Sequence, residues 1–137
     1  MTDSPDHRQV GRRVILEEAR ALETLADALS PEFDSAVEMV LAARGRVIVS
    51  GIGKSGHIAR KIAATLASTG TPAHFVHPAE ASHGDLGMIQ STDIVLAVSN
   101  SGEAPELANL VAYATRFDIR LIGISGNRDS TLIAQSD

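Results

Sequence analysis

The sequence predicts an α/β fold, in which a doubly wound parallel sheet follows a pair of N-terminal helices. Four short runs of β-branched and aliphatic residues lie beyond residue 45, and they lack the polar alternation of half-exposed strands. Such runs are typical of strands buried on both faces of a parallel sheet. Stretches with helical spacing of apolar residues separate the runs. Because alternating strands and helices form right-handed βαβ units, we expect a flavodoxin-like strand order, 2-1-3-4.

Length and composition exclude several classes of protein. A chain of 137 residues with 44% hydrophobic and 21% charged residues is typical of one globular domain rather than a disordered protein. A net charge of −5, 3% aromatic residues and the lack of a basic run argue against a nucleic-acid partner. The absence of cysteine excludes thiolate chemistry. No apolar run reaches the ~20 residues that cross a bilayer and no signal-peptide pattern is present, so we expect a cytoplasmic protein with no membrane partner.

The first 45 residues predict two helices. Residues 1–8 are polar, and we expect them to be frayed or disordered, so that the domain covers residues 9–137. Apolar residues recur at helical spacing over Val10–Leu29. The tripeptide Ser30-Pro31-Glu32 has the pattern of an N-cap, a first-turn proline and an acidic first turn. Gly45 suits the left-handed end of this second helix.

The remaining elements follow in alternation. The predicted strands are Val47–Val49, Ala73–Val76, Asp93–Val98 and Ile119–Ile124. The predicted helices between and after them are Ser55–Ser68, His83–Ile89, Glu103–Phe117 and Ser130–Ser136. Doubly wound sheets usually continue with a further strand after such a helix, so we expect the last strand to lie outside these 137 residues.

The loop after the first strand, Gly51 to Gly56, combines closely spaced glycines with a cation. Its G-x-G-x-x-G spacing is that of a dinucleotide fingerprint, but no carboxylate ends the next strand to hold a ribose. A P-loop is excluded because Ile48 occupies its first glycine position. Glycines also let an anion approach the N–H groups of a helix N-terminus, where Lys54 adds positive charge. We favour such an anion site over a tight turn with a solvated lysine.

The loop after the third strand, Ser99 to Glu106, is rich in hydrogen-bond donors. We expect the backbone N–H groups of Ser101 to Glu103 to line an anion pocket at a helix N-terminus. The alternative is an ordinary N-cap, with the two glutamates at the positive end of the helix dipole. Two donor-rich loops at neighbouring strand ends suggest one phosphorylated ligand between them.

A third cluster follows the second strand and contains His77, Glu80, His83 and Asp85. Two histidines and two acids at a strand end point to substrate or metal contact. The alternative is that the histidines only form structural hydrogen bonds. The spacing matches no zinc signature, so the motif alone does not define a metal site.

Three strings carry a family resemblance: GIGKSGHIARKIAATLASTGTP, FVHPAEASHGDLGMI and AVSNSGEAPEL. Together they resemble the SIS (sugar isomerase) domain of KpsF/GutQ-type D-arabinose 5-phosphate isomerases, from about Arg8 to the end. The resemblance implies an aldose–ketose isomerase that interconverts D-ribulose 5-phosphate and D-arabinose 5-phosphate and supplies Kdo, a lipopolysaccharide sugar. It also implies a homotetramer with a pair of CBS modules after the SIS domain.

The resemblance also implies roles for individual residues. Lys54 and Glu106 match catalytic positions, and His77 matches a metal-contacting position, so zinc there is an expectation although the reaction requires no cofactor. Ala104 replaces a hydroxyl residue of many SIS domains. The family's other catalytic glutamate and histidine have no counterpart up to Asp137, so we expect the fragment alone to be inactive. The substrate-contacting positions are Gly53, Ser55, Gly70, Thr71, His77, His83, Ser99, Asn100, Ser101, Gly102 and Glu103.

These residue types suit an isomerisation through an enediol. Such a reaction needs a base to move a proton between adjacent carbons and a cation or donor for the developing oxyanion. Glu106 is a candidate base and Lys54 a candidate cation, and the family's further histidine is an alternative base. Two other functions stay open: a regulatory SIS module that binds a sugar phosphate without catalysis, and an isomerase of another sugar phosphate.

Overall fold

The computed structural model describes residues 6–137 and contains a four-stranded sheet with helices on both faces. The strands are β1 Val47–Gly51, β2 Ala73–Phe75, β3 Ile94–Val98 and β4 Arg120–Ile124. The helices are α1 His7–Asp27, α2 Pro31–Ala42, α3 Gly53–Ser68, α4 Pro78–Ser82, α5 Ala108–Arg116 and α6 Thr131–Ala134. Short 3₁₀ helices cover Asp85–Met88 and Pro105–Leu107.

The strand order is β2-β1-β3-β4, and all three pairs are parallel. Val47 lies opposite Ala73 in β2 and opposite Ile94 in β3. Leu96 of β3 in turn lies opposite Ile122 of β4. The predicted doubly wound sheet and its order are therefore confirmed.

Two apolar clusters cover the two faces of the sheet. Successive side chains of a strand point to opposite faces, so Ile48 belongs to one cluster and its neighbours Val47 and Val49 to the other. The Ile48 cluster includes Leu110 of α5, and the second cluster includes Ala59 of α3. Small residues on the helices let them lie close to the sheet, which compensates for a core almost without aromatic side chains.

The chain divides into two compact units, Met1–Ser35 and Ala36–Asp137. In the first unit, the carboxylate of Asp6 accepts hydrogen bonds from the N–H groups of Arg8 and Gln9 and caps α1. The expected frayed start is therefore wrong for residues 6–8, while residues 1–5 lie outside the described part. Among residues 6–137, no helix has both the length and the apolar character that a membrane crossing requires.

In the second unit, the region after β2 differs from the prediction of a helix over 83–89. Helix α4 begins earlier, at Pro78, and ends at Ser82. Gly84 adopts a φ of 140°, which is not a helical conformation and so separates α4 from the 3₁₀ helix at Asp85. The predicted helix from Glu103 likewise begins only at Pro105, as a 3₁₀ turn that leads into α5.

An ion pair between the partly exposed Arg46 and the buried Asp93 joins the amino-terminal ends of β1 and β3. Asp93 has a side chain only 2% exposed, and its Oδ2 accepts from Arg46 Nη2 at 2.8 Å. The backbone N–H groups of Arg46 and Gln90 also donate to this carboxylate, at 2.7 and 3.0 Å. Burial, the largest single influence, would raise the pKa of Asp93, but the hydrogen bonds from Arg46 and Gln90 together outweigh it and lower the pKa.

We expect Asp93→Asn to lower the free energy of unfolding by about 2–4 kcal/mol at pH 7, because it leaves the Arg46 guanidinium without its charge partner. A group whose pKa is lowered by folding stabilises the protein above its unfolded pKa of about 3.9 and loses that contribution as pH falls further. The difference between wild type and variant in urea denaturation should therefore shrink below about pH 4.

Asp129→Asn is the matched control, because it makes the same change on an exposed side chain. A gap between wild type and Asp93→Asn that stayed constant down to about pH 3 would show that this carboxylate contributes nothing through its charge.

Candidate active site at the carboxyl ends of the strands

The predicted functional loops all follow the carboxyl ends of strands in this sheet. In open α/β sheets, ligands bind where strand order reverses, and here that point lies between β1 and β3. The loops after β1 and β3 diverge from this point. The loop after β4 contacts the loop after β3, because Gly126 N–H donates to Asn100 O at 3.0 Å.

The glycines after β1 permit a very close approach of strand and helix. A Cβ on Gly51 would lie 2.9 Å from Val98 O, and one on Gly56 would lie 2.7 Å from Gly51 O. Gly53 adopts a φ of 58°. These glycines are thus needed for a tight turn that starts α3 directly at the end of β1. The two interpretations of this loop, a tight turn and an anion site, are therefore compatible. The tight turn leaves the start of α3 exposed, where an anion can bind.

Within the described residues 6–137, no side chain caps the N-terminus of α3. Ile52 occupies the N-cap position and has no hydrogen-bond acceptor in its side chain. Lys54 is exposed and makes no ion pair or hydrogen bond with residues 6–137 through its side chain. A cation and unpaired N–H groups thus lie together at the positive end of a helix of 16 residues.

A cavity of about 330 Å³ lies at the switch point between the loops after β1, β3 and β4. Its size is at the lower end for sites that take small molecules. Its walls combine an apolar floor with polar groups from three loops. The lining residues are Lys54, Ser55, Ile58, Val98, Asn100, Ile124, Ser125 and Gly126.

The loop after β3 uses its own serine hydroxyls to satisfy two of its backbone N–H groups. Ser99 Oγ accepts from Gly102 N–H at 3.1 Å, and Ser101 Oγ accepts from Glu103 N–H at 3.2 Å. The expectation that the N–H groups of Ser101 to Glu103 line an anion pocket is therefore wrong for two of the three. Short-range hydroxyl acceptors compete for such N–H groups. The exposed Ser101 keeps its own O–H and can donate it to a ligand, whereas Ser99 is buried.

Glu103, predicted to contact substrate, is hydrogen-bonded to the start of α6. Its Oε1 accepts from Thr131 N–H at 2.7 Å, and this hydrogen bond lowers the pKa of the Glu103 carboxyl. Gly102 adopts a φ of 70°, and a Cβ there would collide with the side chain of Ser130. Leu132 N–H also donates to Gly102 O at 3.1 Å. These contacts fix the loop after β3 against the N-cap and first turn of α6.

His77 acts as the N-cap of α4. Its Nδ1 accepts from Ala79 N–H at 3.2 Å. His77 also lines a smaller cavity, of about 200 Å³, with Arg60 and Phe75. The Arg60 guanidinium lies 3.9 Å above the Phe75 ring.

The residues present do not fit a zinc site by themselves. Within residues 6–137, no three His, Asp or Glu side chains come together as metal ligands. Nδ1 of His77 already accepts a hydrogen bond from Ala79 N–H. Glu80, His83 and Asp85 are exposed and do not complete a ligand set in the described chain.

Glu106 and the pair Gly70–Thr71 lie apart from the cavity at the switch point. Glu106 is exposed in the 3₁₀ turn before α5 and forms no ion pair with Lys54. Gly70 and Thr71 precede β2 and so lie at the amino-terminal edge of the sheet. The rise of α3 from Lys54 to Ser68 is roughly 21 Å, so the two ends of this helix cannot contact one pentose phosphate.

Sequence reasoning missed the loop after β4. Ser125 and Gly126 line the cavity at the switch point, and Ser125 Oγ–H donates to Asn100 O at 3.4 Å. A signal was present, because the string SGNRDS follows an apolar strand just as SNSGE follows β3. Small polar residues directly after any predicted parallel strand are therefore candidate ligand contacts.

Comparisons with known proteins agree on one family. Residues 40–137 match the SIS domain family. The arabinose 5-phosphate isomerases KdsD of Pseudomonas aeruginosa and Yersinia pestis are 50% and 51% identical over 132 residues, 96% of this chain. The chain spans 40% of the length of each of these relatives. A solved structure of E. coli CFT073 c3406 in complex with A5P has a TM-score of 0.92 and 38% identity, covering 99% of this chain and 72% of that one.

Proposed function

Because the chain belongs to the SIS domain family, we propose that its protein is an isomerase that interconverts D-ribulose 5-phosphate and D-arabinose 5-phosphate. The observation that carries the proposal is the cavity at the switch point, which is lined by Lys54, without a side-chain partner among residues 6–137, together with Asn100 and Ser125. Relatives about 50% identical are named arabinose 5-phosphate isomerase, and a structural neighbour is described in complex with A5P.

The proposed phosphate site uses the loops after β1 and β3. A phosphate group accepts several hydrogen bonds and carries close to two negative charges, so it favours a helix N-terminus and hydroxyl donors. The uncapped start of α3 supplies N–H groups, and Ser101 supplies an exposed O–H whose oxygen already accepts from Glu103 N–H. Lys54 lies in the first turn of α3, at this same end, and the sugar extends from here toward Glu106, which lies outside the cavity lining.

The proposed reaction moves one carbon-bound proton. A base removes the proton from C2 of the aldose while O1 gains a proton, which gives the enediol. The proton then returns to C1 while O2 loses its proton, so one C–H bond breaks, another forms and no redox partner is needed. In this scheme Glu106 is the base and Lys54 stabilises the negative charge that develops on oxygen. A histidine elsewhere in the full protein is the alternative base.

We further propose that the protein is a homo-oligomer, as the resemblance to tetrameric isomerases implies. Helix α1 has no buried residue, and its Leu22 and Leu25 are 67% and 58% exposed. If Gly70 and Thr71 contact substrate, they do so in the site of a second copy, because they lie at the opposite edge of the sheet. Light scattering should therefore give at least a dimer at micromolar concentration, and a monomer would contradict the proposal.

We expect Ser101→Ala to raise KM for the sugar phosphate roughly 10- to 100-fold, because hydrogen bonds to charged groups contribute about 1.5–3 kcal/mol. The effect on kcat should be smaller, since the phosphate is bound in both ground and transition states. Ser68→Ala is the control, because that exposed hydroxyl only donates to Thr65 O at the end of α3. An unchanged KM in Ser101→Ala would remove this loop from the phosphate site.

The experiment that tests the function is turnover of a set of ketose phosphates by the full-length protein, followed by NMR. We expect conversion of ribulose 5-phosphate to arabinose 5-phosphate and slower reaction of fructose 6-phosphate and sedoheptulose 7-phosphate. Preference for a longer sugar would indicate an isomerase of another substrate. Tight binding without conversion of any sugar phosphate would indicate a regulatory module and contradict the proposed activity.

The proposal includes the metabolic context that the resemblance implies. We propose that the arabinose 5-phosphate serves Kdo synthesis for lipopolysaccharide and that the protein works in the cytoplasm. A doubly charged sugar phosphate does not cross a bilayer unaided, which supports a location in the compartment where such sugars are made.

A further inference from the structure

Helix α4 connects two candidate substrate contacts but is too short to hold its own position. It has five residues, begins after the cap His77 and ends just before His83. Isolated helices of this length are unstable in water, so the packing of α4 against its neighbours decides where His83 lies. On its buried side, Ala81 shares an apolar cluster with Leu107 and Leu110 of the neighbouring helical segment.

One hydrogen bond joins the exposed end of α4 to that segment. Asn109 Nδ2–H donates to Ser82 Oγ at 3.0 Å, and Ser82 Oγ–H donates in turn to Pro78 O at 3.2 Å. Among the side chains of residues 6–137, this is the one hydrogen bond between α4 and another element. Ser82 thus accepts a hydrogen bond from Asn109 and donates one to Pro78, the first residue of α4.

The position of this hydrogen bond relates it to the proposed chemistry. Asn109 lies three residues after Glu106 in a continuous helical run, so the two share a face of that run. Ser82 directly precedes His83 in the chain. The hydrogen bond therefore connects the element that carries the proposed base with the element that carries the second histidine.

We propose that Asn109 and Ser82 form a positioning pair that sets the separation of Glu106 and His83 across the bound substrate. The inference rests on the proposed function and adds to it two residues that do not touch the reacting atoms. Both side chains are exposed, so their loss should alter the fold little. It should instead let α4 shift relative to Glu106, and small displacements of reacting groups lower turnover more than they lower binding.

The test is a double-mutant cycle in the full-length protein. We expect Asn109→Ala and Ser82→Ala each to lower kcat roughly 10- to 100-fold with KM nearly unchanged. The double variant should be no slower than either single variant, because both remove the same contact. Ser82→Thr keeps a hydroxyl and should restore most of the activity. Thr115→Ala is the control, because its hydroxyl donates only to Val111 O within α5.

A readout that does not need turnover separates this inference from the proposed function. The imidazole NMR signals of His83 should shift in both single variants, while those of His74 in β2 stay in place. If the wild-type protein lacks isomerase activity, the proposed function fails and the His83 signals alone decide the inference. Unmoved His83 signals, or single-variant effects that multiply in the double variant, would overturn it.

Discussion

Replacing Glu106 with glutamine is expected to lower kcat by about 10²–10⁴-fold, because a positioned general base typically contributes that much to proton transfer. Glutamine keeps the size and hydrogen-bonding ability of the side chain but cannot accept the carbon-bound proton. Glu106 is exposed and forms no ion pair or hydrogen bond with residues 6–137, so its substitution should cost little stability. KM should change little. A lower kcat with an unchanged KM is expected for a group that acts in the transition state.

The measurement is steady-state kinetics of the full-length protein, with Glu38→Gln as the matched control. Glu38 is an exposed residue of α2, so the control makes the same chemical change away from the strand ends. Full turnover in Glu106→Gln would mean that this carboxylate only serves the start of its helix. The base would then be the histidine that the resemblance places elsewhere in the full protein.

Replacing Lys54 with methionine is expected to lower kcat by about 10²–10³-fold, the usual cost of removing one group that stabilises a developing oxyanion. Methionine keeps the length of the side chain but removes its charge. Lys54 lines the cavity at the switch point and has no carboxylate partner among the described residues, so its charge is available to the ligand. KM should rise as well, because the same cation attracts the phosphorylated substrate before reaction.

The control is Lys61→Met, which removes an exposed lysine from the same helix, α3. Equal losses in the two variants would show that only the general charge of α3 matters. An unchanged kcat in Lys54→Met would exclude a direct role in catalysis and leave Lys54 as a solvated residue of a tight turn.

The sheet could be predicted from the sequence because its strands leave a strong signal. Strands buried on both faces are continuous aliphatic runs, and the short segments between them fit only helices that cross over in one direction. The observed order β2-β1-β3-β4 agrees with these rules. The two core clusters also follow, since residues of one strand alternate between faces.

The details of the site depended on contacts that the sequence does not display. Helix α4 has only five residues, too few for a periodic pattern. The sequence therefore did not indicate that His77 caps a helix. Glu103 looked like a loop residue that faces substrate, yet its carboxylate accepts from Thr131, 28 positions further along the chain. The two serines of the loop after β3 accept hydrogen bonds from neighbouring N–H groups, and this pairing depends on the backbone conformation of the loop.

The position of Gly70 and Thr71 could have been predicted from the sequence. They precede β2, and residues that precede a parallel strand lie at the edge opposite to the one where ligands bind. Strand topology alone therefore separates them from Lys54 within one chain. Their proposed contact with substrate depends on a second copy of the protein.

The measurement that tests the proposed isomerisation most directly is NMR of D-arabinose 5-phosphate incubated with the full-length protein in D₂O. We predict that D-ribulose 5-phosphate appears with deuterium at C1, because a base that carries a proton through an enediol exchanges it with solvent. Glu106→Gln should slow both the conversion and the exchange. An aldose spectrum that stays unchanged while the ligand is bound would contradict the proposed function and leave a sugar-phosphate-binding protein without catalysis.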